Sequence, residues 1–316
     1  MLKNVTLLTG SANQKLAKDI GKILKLEVFY PITKFADGEI RVYIPKNLRR
    51  NHVFIIQPTS SPVNDHIMEL LLMIDAAKRS SASEITAIIP YFGYSRQDKK
   101  DRPRVPISAA LVASMIKTSG VDRIVTLDIH SEPEQGFFQG PWDNLYGSYS
   151  LIPAVKKKRL KNLIVASPDK GGVTKAVGYA KRLEAEGIAI VYKDRDINVE
   201  NKSEALDLIG NVKGKNILIV DDMVDTAGTL VNAAKLLKDR GAVAIFAAAS
   251  HGLFSDPALE RITKSVINEL IVTDTVNIRP EALKSPKIKV VSVAPLLAEA
   301  IKRIESGESI SEGLIL

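Results

Sequence analysis

The chain has 316 residues, of which 45% are apolar and 25% charged, with a net charge of +8 and no cysteine. This length predicts two domains of about 150 residues each, and the missing cysteines exclude disulfides, thiol catalysis and cysteine metal sites. No stretch nears the roughly 20 apolar residues of a membrane span, and the first apolar run is too short for a secretory leader, so the chain reads as soluble and cytoplasmic, with no membrane partner.

Short β-branched runs alternate with helical patterns, which predicts an α/β protein with largely parallel sheets. In chain order the runs predict strands over 5–9, 53–57, 85–90, 123–128, 163–167, 188–193, 217–221, 243–248, 270–273 and 288–293. An antiparallel insert, "FADGEIRVYIP", interrupts this plan early, with apolar and polar residues alternating from Glu39 to Ile44. Helices fall between the strands. "NDHIMELLLMIDAAKRS" places Ile67, Leu70, Leu71 and Ile74 on one face. "PISAALVASMIKTSG" has Pro106 near its first turn and Gly120 past its end. Leu230, Ala233, Ala234 and Leu237 share the face of a third helix, which Gly241 ends. Residues 143–150 read as a loop and divide the chain into domains 1–147 and 148–316, the last segment packing back on the first domain. Both halves share one plan: strands ending in carboxylates, then a loop, then a helix.

The positive charge favours anionic partners. A nucleic-acid surface would gather basic residues beside aromatic platforms. Here aromatics are 5% of the chain, and the basic clusters at Arg49-Arg50, Lys99–Arg104 and Lys156–Lys161 are small and scattered. Phosphorylated small molecules are therefore the expected partners, not nucleic acid.

The stretch that points to chemistry is "NILIVDDMVDTAGTL", 216–230. An apolar strand delivers Asp221 and Asp222 to its carboxyl end, where ligands bind in open α/β sheets. Asp225 follows, and Thr226-Ala227-Gly228-Thr229 opens a helix whose free amides can wrap an anion. The three acids could hold a metal, act as nucleophiles, or grip hydroxyl groups beside a phosphate. An Asp-capped helix after a strand is the plain structural reading. No G-x-x-x-x-G-K-[ST] loop is present.

This stretch resembles the phosphoribosyl pyrophosphate (PRPP) motif of the phosphoribosyltransferase-like family. With "KFADGEI", "YFGYSRQDKKDRPRVPISAAL", "LDIHSEPEQGFF" and "SPDKGG", in that order, the chain from about 3 to 311 resembles the ribose-phosphate pyrophosphokinases of the phosphate-activated bacterial and animal type. The resemblance implies two phosphoribosyltransferase-like α/β domains, each a mainly parallel sheet flanked by helices. The implied reaction transfers the β,γ-diphosphoryl group of ATP to the C1 hydroxyl of ribose 5-phosphate. A phosphoribosyltransferase that consumes PRPP and a non-catalytic regulatory relative are the competing functions.

Residue roles follow from the resemblance. Phe35, Asp37, Gly38, Glu39, Arg96 and Gln97 would bind ATP. His130 and Asp169 would ligate Mg²⁺, with Asp128 a further candidate. Asp169, Lys170, Gly171 and Gly172 would form a pyrophosphate loop. Asp221, Asp222, Asp225, Thr226, Ala227, Gly228 and Thr229 would hold ribose 5-phosphate together with Arg195. Lys193 and Arg195 would be catalytic. Family members of this type form hexamers regulated by inorganic phosphate and ADP. Two features depart from the family pattern. The segment "KDRDINVENKSEALDL" is about two residues longer and more acidic, and the C-terminus "GESISEGLIL" keeps Ser309 and Ser311 but lacks an aromatic tail.

Overall fold

The computed structural model describes residues 2, 4–194 and 205–310. They fold as two compact units. One runs to Tyr146 and takes in Thr275–Asn277 and the chain from Ser292, while the other holds Gly147–Asp274 and Ile278–Val291.

The first unit contains β1 (Val5–Thr9), β2 (Val28–Phe29), β3 (Ile32–Lys34), β4 (Ile40–Val42), β5 (His52–Ile56), β6 (Glu84–Ile89), β7 (Arg123–Leu127) and β8 (Trp142–Leu145). Six of these form one sheet in the order β2-β1-β5-β6-β7-β8, every pair parallel. Every residue of β1 and β5 is buried, as expected of parallel strands covered on both faces. The insert forms a separate antiparallel hairpin of β3 and β4. Three helices, α1 (Gln14–Leu24), α2 (Val63–Arg79) and α3 (Ser108–Ser119), follow β1, β5 and β6. In α2 the buried stripe is Ile67, Leu70, Met73, Ile74 and Ala77. Leu71, expected inside, is half-buried because the stripe turns toward Met73.

The second unit contains β9 (Leu163–Ser167), β10 (Gly187–Asp194), β11 (Ala205–Ile209), β12 (Asn216–Val224), β13 (Ala244–Gly252), β14 (Glu269–Thr273) and β15 (Ile288–Val291) in the order β11-β10-β9-β12-β13-β14-β15. All pairs are parallel except β10 with β11. Its helices are α4 (Ser148–Lys156), α5 (Val173–Leu183), α6 (Gly228–Asp239), α7 (Ala258–Lys264) and the short α8 (Pro280–Leu283). The chain then returns to the first unit as α9 (Ala294–Ser306), which packs against α1.

The loop expected over 143–150 is instead mostly regular structure: β8 ends at Leu145 and α4 starts at Ser148. The sequence "WDNL" lacks a β-branched run, and the strand exists through its tertiary contacts. Trp142 Nε1 donates to Thr126 Oγ1 at 2.8 Å, and Asn144 Oδ1 accepts the Ile129 N–H at 3.1 Å. The two longest strands, β12 and β13, also overrun their predicted ends, so Asp221, expected as a strand's last residue, and Asp222, expected just past it, both lie inside β12.

Candidate active site

In the second unit, β12 pairs with β13 as far as Val224 and Gly252, but with β9 only as far as Ile219 and Ala166. Past that point β9 leaves the sheet at Ser167-Pro168, and β12 continues with one flank unpaired by β9. Asp221 and Asp222 lie in this overhang, both half-buried. The Asp222 N–H donates to Asp221 Oδ1 at 2.9 Å, and the Met223 N–H donates to Asp222 Oδ1 at 2.8 Å. Burial, and then the like charge of Asp222, hold the Asp221 carboxyl well above the usual carboxylate range, while Lys175 on α5 partly offsets the shift. Such a pair suits sugar hydroxyls, which donate to an ionised oxygen and accept from a protonated one.

The turn after β12 bends sharply. Ala227 has φ +60°, a left-handed conformation that favours glycine and costs a β-carbon about 1 kcal/mol. Strain of this kind collects at ligand-binding turns. No side chain caps α6, and Thr226 and Thr229 are exposed. Arg261 of α7 braces the turn by donating to the Thr226 carbonyl at 3.0 Å. A Cβ on Gly228 would meet Arg261 Nη1 at 3.4 Å and Thr226 Oγ1 at 3.9 Å, and its φ is not positive. The protein's own packing therefore makes little demand for glycine there, whereas a ligand approaching the backbone would.

The loop after β9 lies beside this overhang in strand order. Ser167 Oγ donates to the Asp169 carbonyl at 2.6 Å, and the Gly172 N–H donates to Asp169 Oδ1 at 3.0 Å. A Cβ on Gly172 would sit 2.6 Å from Ser167 Oγ, so any larger residue there would force the Ser167 hydroxyl to move. Gly171 is exposed, and Lys170 reaches over the Tyr192 ring at 5.6 Å. Lys193, at the carboxyl end of β10, pairs through its backbone with Leu206. Arg195 lies outside the described residues. The second unit thus gathers the Asp169–Gly172 loop, the Lys193 backbone and the Asp221–Thr229 stretch at the carboxyl ends of β9, β10 and β12.

The first unit places its expected residues in two groups. One is the β3–β4 hairpin turn. The Phe35 N–H donates to the Glu39 carbonyl at 2.9 Å, the Gly38 N–H to the Phe35 carbonyl at 3.0 Å, and the Glu39 N–H to Asp37 Oδ1 at 3.0 Å. Gly38, with φ +94°, takes the left-handed position of this three-residue loop. Phe35 is 50% exposed, and the Arg41 guanidinium lies over its ring, 5.8 Å from the centroid.

The other group follows β6 and β7. Arg96 is exposed, while Gln97 Oε1 accepts from Ser108 Oγ at 2.6 Å at the start of α3. Asp128 is buried at φ +45°, its N–H donating to the Leu145 carbonyl at 2.8 Å. The His130 side chain is exposed, and its backbone N–H donates to Ser95 Oγ at 3.1 Å. Ser95 in turn donates to Glu134, a fully buried carboxyl whose pKa burial pushes up to about 7. The spacing Ser131-x-x-Glu134 carried a capping-box signal for this residue, whereas Ser95, Lys175 and Arg261 had no local signal.

Among the described residues no three His, Asp or Glu side chains converge on a point that could hold a metal ion. Asp128 and His130 belong to the first unit and Asp169 to the second. One imidazole and single carboxylates fit a hard cation that takes most of its ligands from phosphate oxygens and water, as nucleotide-bound cations do. No described helix is long and apolar enough to cross a membrane.

Two family models match the chain: the N-terminal domain of ribose phosphate pyrophosphokinase over residues 5–120, and the phosphoribosyl synthetase-associated domain over residues 196–314. A ribose-phosphate pyrophosphokinase of Helicobacter hepaticus is 48% identical over 311 residues, covering 98% of this chain and 99% of that one. One from Caldanaerobacter subterraneus subsp. tengcongensis is also 48% identical, covering 98% and 97%. Among solved structures, phosphoribosylpyrophosphate synthetase from Mycobacterium smegmatis matches with a TM-score of 0.90 at 39% identity, covering 96% of this chain and 100% of that one.

Proposed function

The chain belongs to the ribose-phosphate pyrophosphokinase family, and from that premise we propose that it transfers the β,γ-diphosphoryl group of ATP to the C1 hydroxyl of D-ribose 5-phosphate, giving PRPP and AMP for nucleotide biosynthesis. The observation that carries this reading is that one chain holds both matched regions. The first contains the Phe35–Glu39 hairpin and Arg96-Gln97, and the second contains the acid strand with its threonine turn.

In the second unit, the amides at the start of α6 and the Thr226 and Thr229 hydroxyls bind the 5-phosphate. The helix terminus favours negative charge. Asp221, Asp222 and Asp225 take the ribose hydroxyls, and Gly171 and Gly172 let backbone approach the diphosphate. In the first unit, Phe35 stacks on adenine, Asp37 and Glu39 accept from its exocyclic amine, and Arg96 with Gln97 meets the phosphates. A planar guanidinium matches phosphate oxygens well.

The C1 oxygen attacks the β-phosphorus in line. The bond from that phosphorus to the α,β-bridging oxygen breaks, AMP leaves with the electron pair, and the hydroxyl proton is lost. Lys193 and Arg195 offset the charge on the transferring group, so each acts mainly in the transition state. His130 and Asp128 in the first unit and Asp169 in the second are each candidate ligands for Mg²⁺, which would neutralise phosphate charge when it enters with ATP. Family resemblance supports a cytoplasmic homohexamer that responds to inorganic phosphate and ADP.

Purified protein with MgATP, ribose 5-phosphate and no nucleobase is expected to release AMP and PRPP in equal amounts. AMP formation that required a base, or no turnover, would overturn the reading in favour of a transferase or a silent relative. Lys193→Ala should lower kcat and kcat/KM together, and a rise in KM alone would remove Lys193 from the transition state.

A further inference from the structure

The loops after β6 and β7 leave neighbouring parallel strands at the same edge of the first sheet, and a buried hydroxyl–carboxyl pair ties them together. Ser95 Oγ accepts the His130 N–H at 3.1 Å and donates to Glu134, whose Oε1 lies at 2.7 Å and Oε2 at 2.9 Å. Glu134 Oε1 also accepts the Ser131 N–H at 3.1 Å and closes the capping box of the 3₁₀ turn Glu132–Phe137. Ser95 is 3% exposed and Glu134 0%. Arg96 is bonded in sequence to Ser95, and His130 to Ser131, so each expected phosphate or metal contact sits one residue from the tie.

Burying a carboxyl group is costly even when it is hydrogen-bonded. The pair also accepts the His130 and Ser131 N–H groups, so an apolar pair of the same shape would leave two backbone donors without these acceptors, at a cost in stability. The pair therefore has a structural role, and its geometry gives it a second one. What the polar pair adds is direction: it fixes the Ser95 hydroxyl toward the His130 amide and holds the two loops at one spacing. An Arg96 on one loop and a His130 on the other must meet parts of a single triphosphate, and loop errors near 1 Å weaken such joint contacts severely.

We propose that Ser95 and Glu134 are positioning residues that set the distance between Arg96 and His130, so that both engage one metal–triphosphate unit. This inference rests on the ATP-binding reading above. It assigns Ser95 and Glu134 no contact with substrate.

The test is a comparison of wild type with Ser95→Ala, Glu134→Leu, the double variant and Glu134→Gln. The double variant replaces both polar partners by apolar ones and leaves the His130 and Ser131 N–H groups without these acceptors, so its thermal midpoint should fall, and the kinetics are read well below that midpoint. Its Mg²⁺ concentration for half-maximal rate and its KM for MgATP should each rise on the order of tenfold, the range seen when groups supporting a metal ligand are removed. KM for ribose 5-phosphate should stay within about twofold, because its site lies in the other unit. The double variant should be no worse than either single change, since the two residues act as one unit, and Glu134→Gln should recover most of the loss. Unaltered Mg²⁺ and ATP dependence in the double variant would overturn the inference. So would an equal rise in both substrate KM values accompanied by loss of stability. Should the double variant not fold, Ser95→Ala alone, which removes only the shared oxygen, is judged by the same outcomes. A wild-type protein that makes no AMP would instead refute the functional reading.

Discussion

The two units carry the same kind of strand-to-helix turn at the carboxyl edge of a parallel sheet and use it in opposite ways. After β1 the turn is filled from within. Glu69 accepts the Ser11 N–H at 2.8 Å and the Ser11 hydroxyl at 2.7 Å, Gln57 Nε2 donates to the same carboxylate at 2.8 Å, and Asn13 Oδ1 caps α1 by accepting the Leu16 N–H at 3.2 Å. After β12 no side chain caps the helix, and the turn presents exposed Thr226 and Thr229. In the first turn the protein's own carboxylate stands where an anion would sit, and in the second no side chain caps the helix. The scaffold is shared, and the site is decided by which turn is left open.

That contrast can be broken from either side. Glu69→Leu removes the acceptor of the buried Gln57 amide, while the two Ser11 donors are exposed and can turn to water, and an unsatisfied buried group costs about 1–3 kcal/mol. Loss of about 1–3 kcal/mol in denaturant unfolding is expected, with KM for ribose 5-phosphate unchanged; a selective rise in that KM would mean that the filled turn is a site after all. Glu134 gives a second, pH-dependent effect in the same unit. Its proton is held more tightly in the folded chain, up to about pKa 7 from an ordinary 4.5. Its stabilising contribution is therefore complete below about pH 4.5 and lost as pH rises through 7. Wild type should lose roughly 1–2 kcal/mol between pH 5 and pH 8 relative to Glu134→Gln, measured by unfolding at each pH. Parallel pH curves would contradict this.

In the open turn the expected effects invert. Gly228→Ala should change stability by less than about 0.5 kcal/mol, yet raise KM for ribose 5-phosphate by on the order of tenfold, equivalent to about 1.4 kcal/mol. A wild-type KM would show that no ligand approaches that backbone. Asp222→Asn should have the smallest effect. It removes the like charge that helps to hold the Asp221 pKa up, so the acid limb of the ribose 5-phosphate pH profile should move to lower pH. An unmoved limb would separate Asp221 from sugar binding.

The fold and the site were legible in the sequence to different degrees. Continuous apolar runs such as those of β1, β5 and β9 are visible because parallel strands are buried on both faces. The short strands β2 and β8 left no such trace, since "VF" and "WDNL" gain their form from neighbours. The acid strand and threonine turn were readable because their residues are contiguous in the sequence. What supports them was not: Arg261 reaches Thr226 across 35 residues, Ser95 meets Glu134 across 39, and Ser11 meets Glu69 across 58. Contacts of that span carry no local period, and only the folded chain reveals them.

The most direct test of the account follows the phosphorus atoms. ATP labelled at the β-phosphorus, incubated with the protein, Mg²⁺ and ribose 5-phosphate, should give PRPP carrying the label at its C1-linked phosphorus, alongside unlabelled AMP. Label retained in ADP, with a single phosphoryl group transferred, would contradict the central claim.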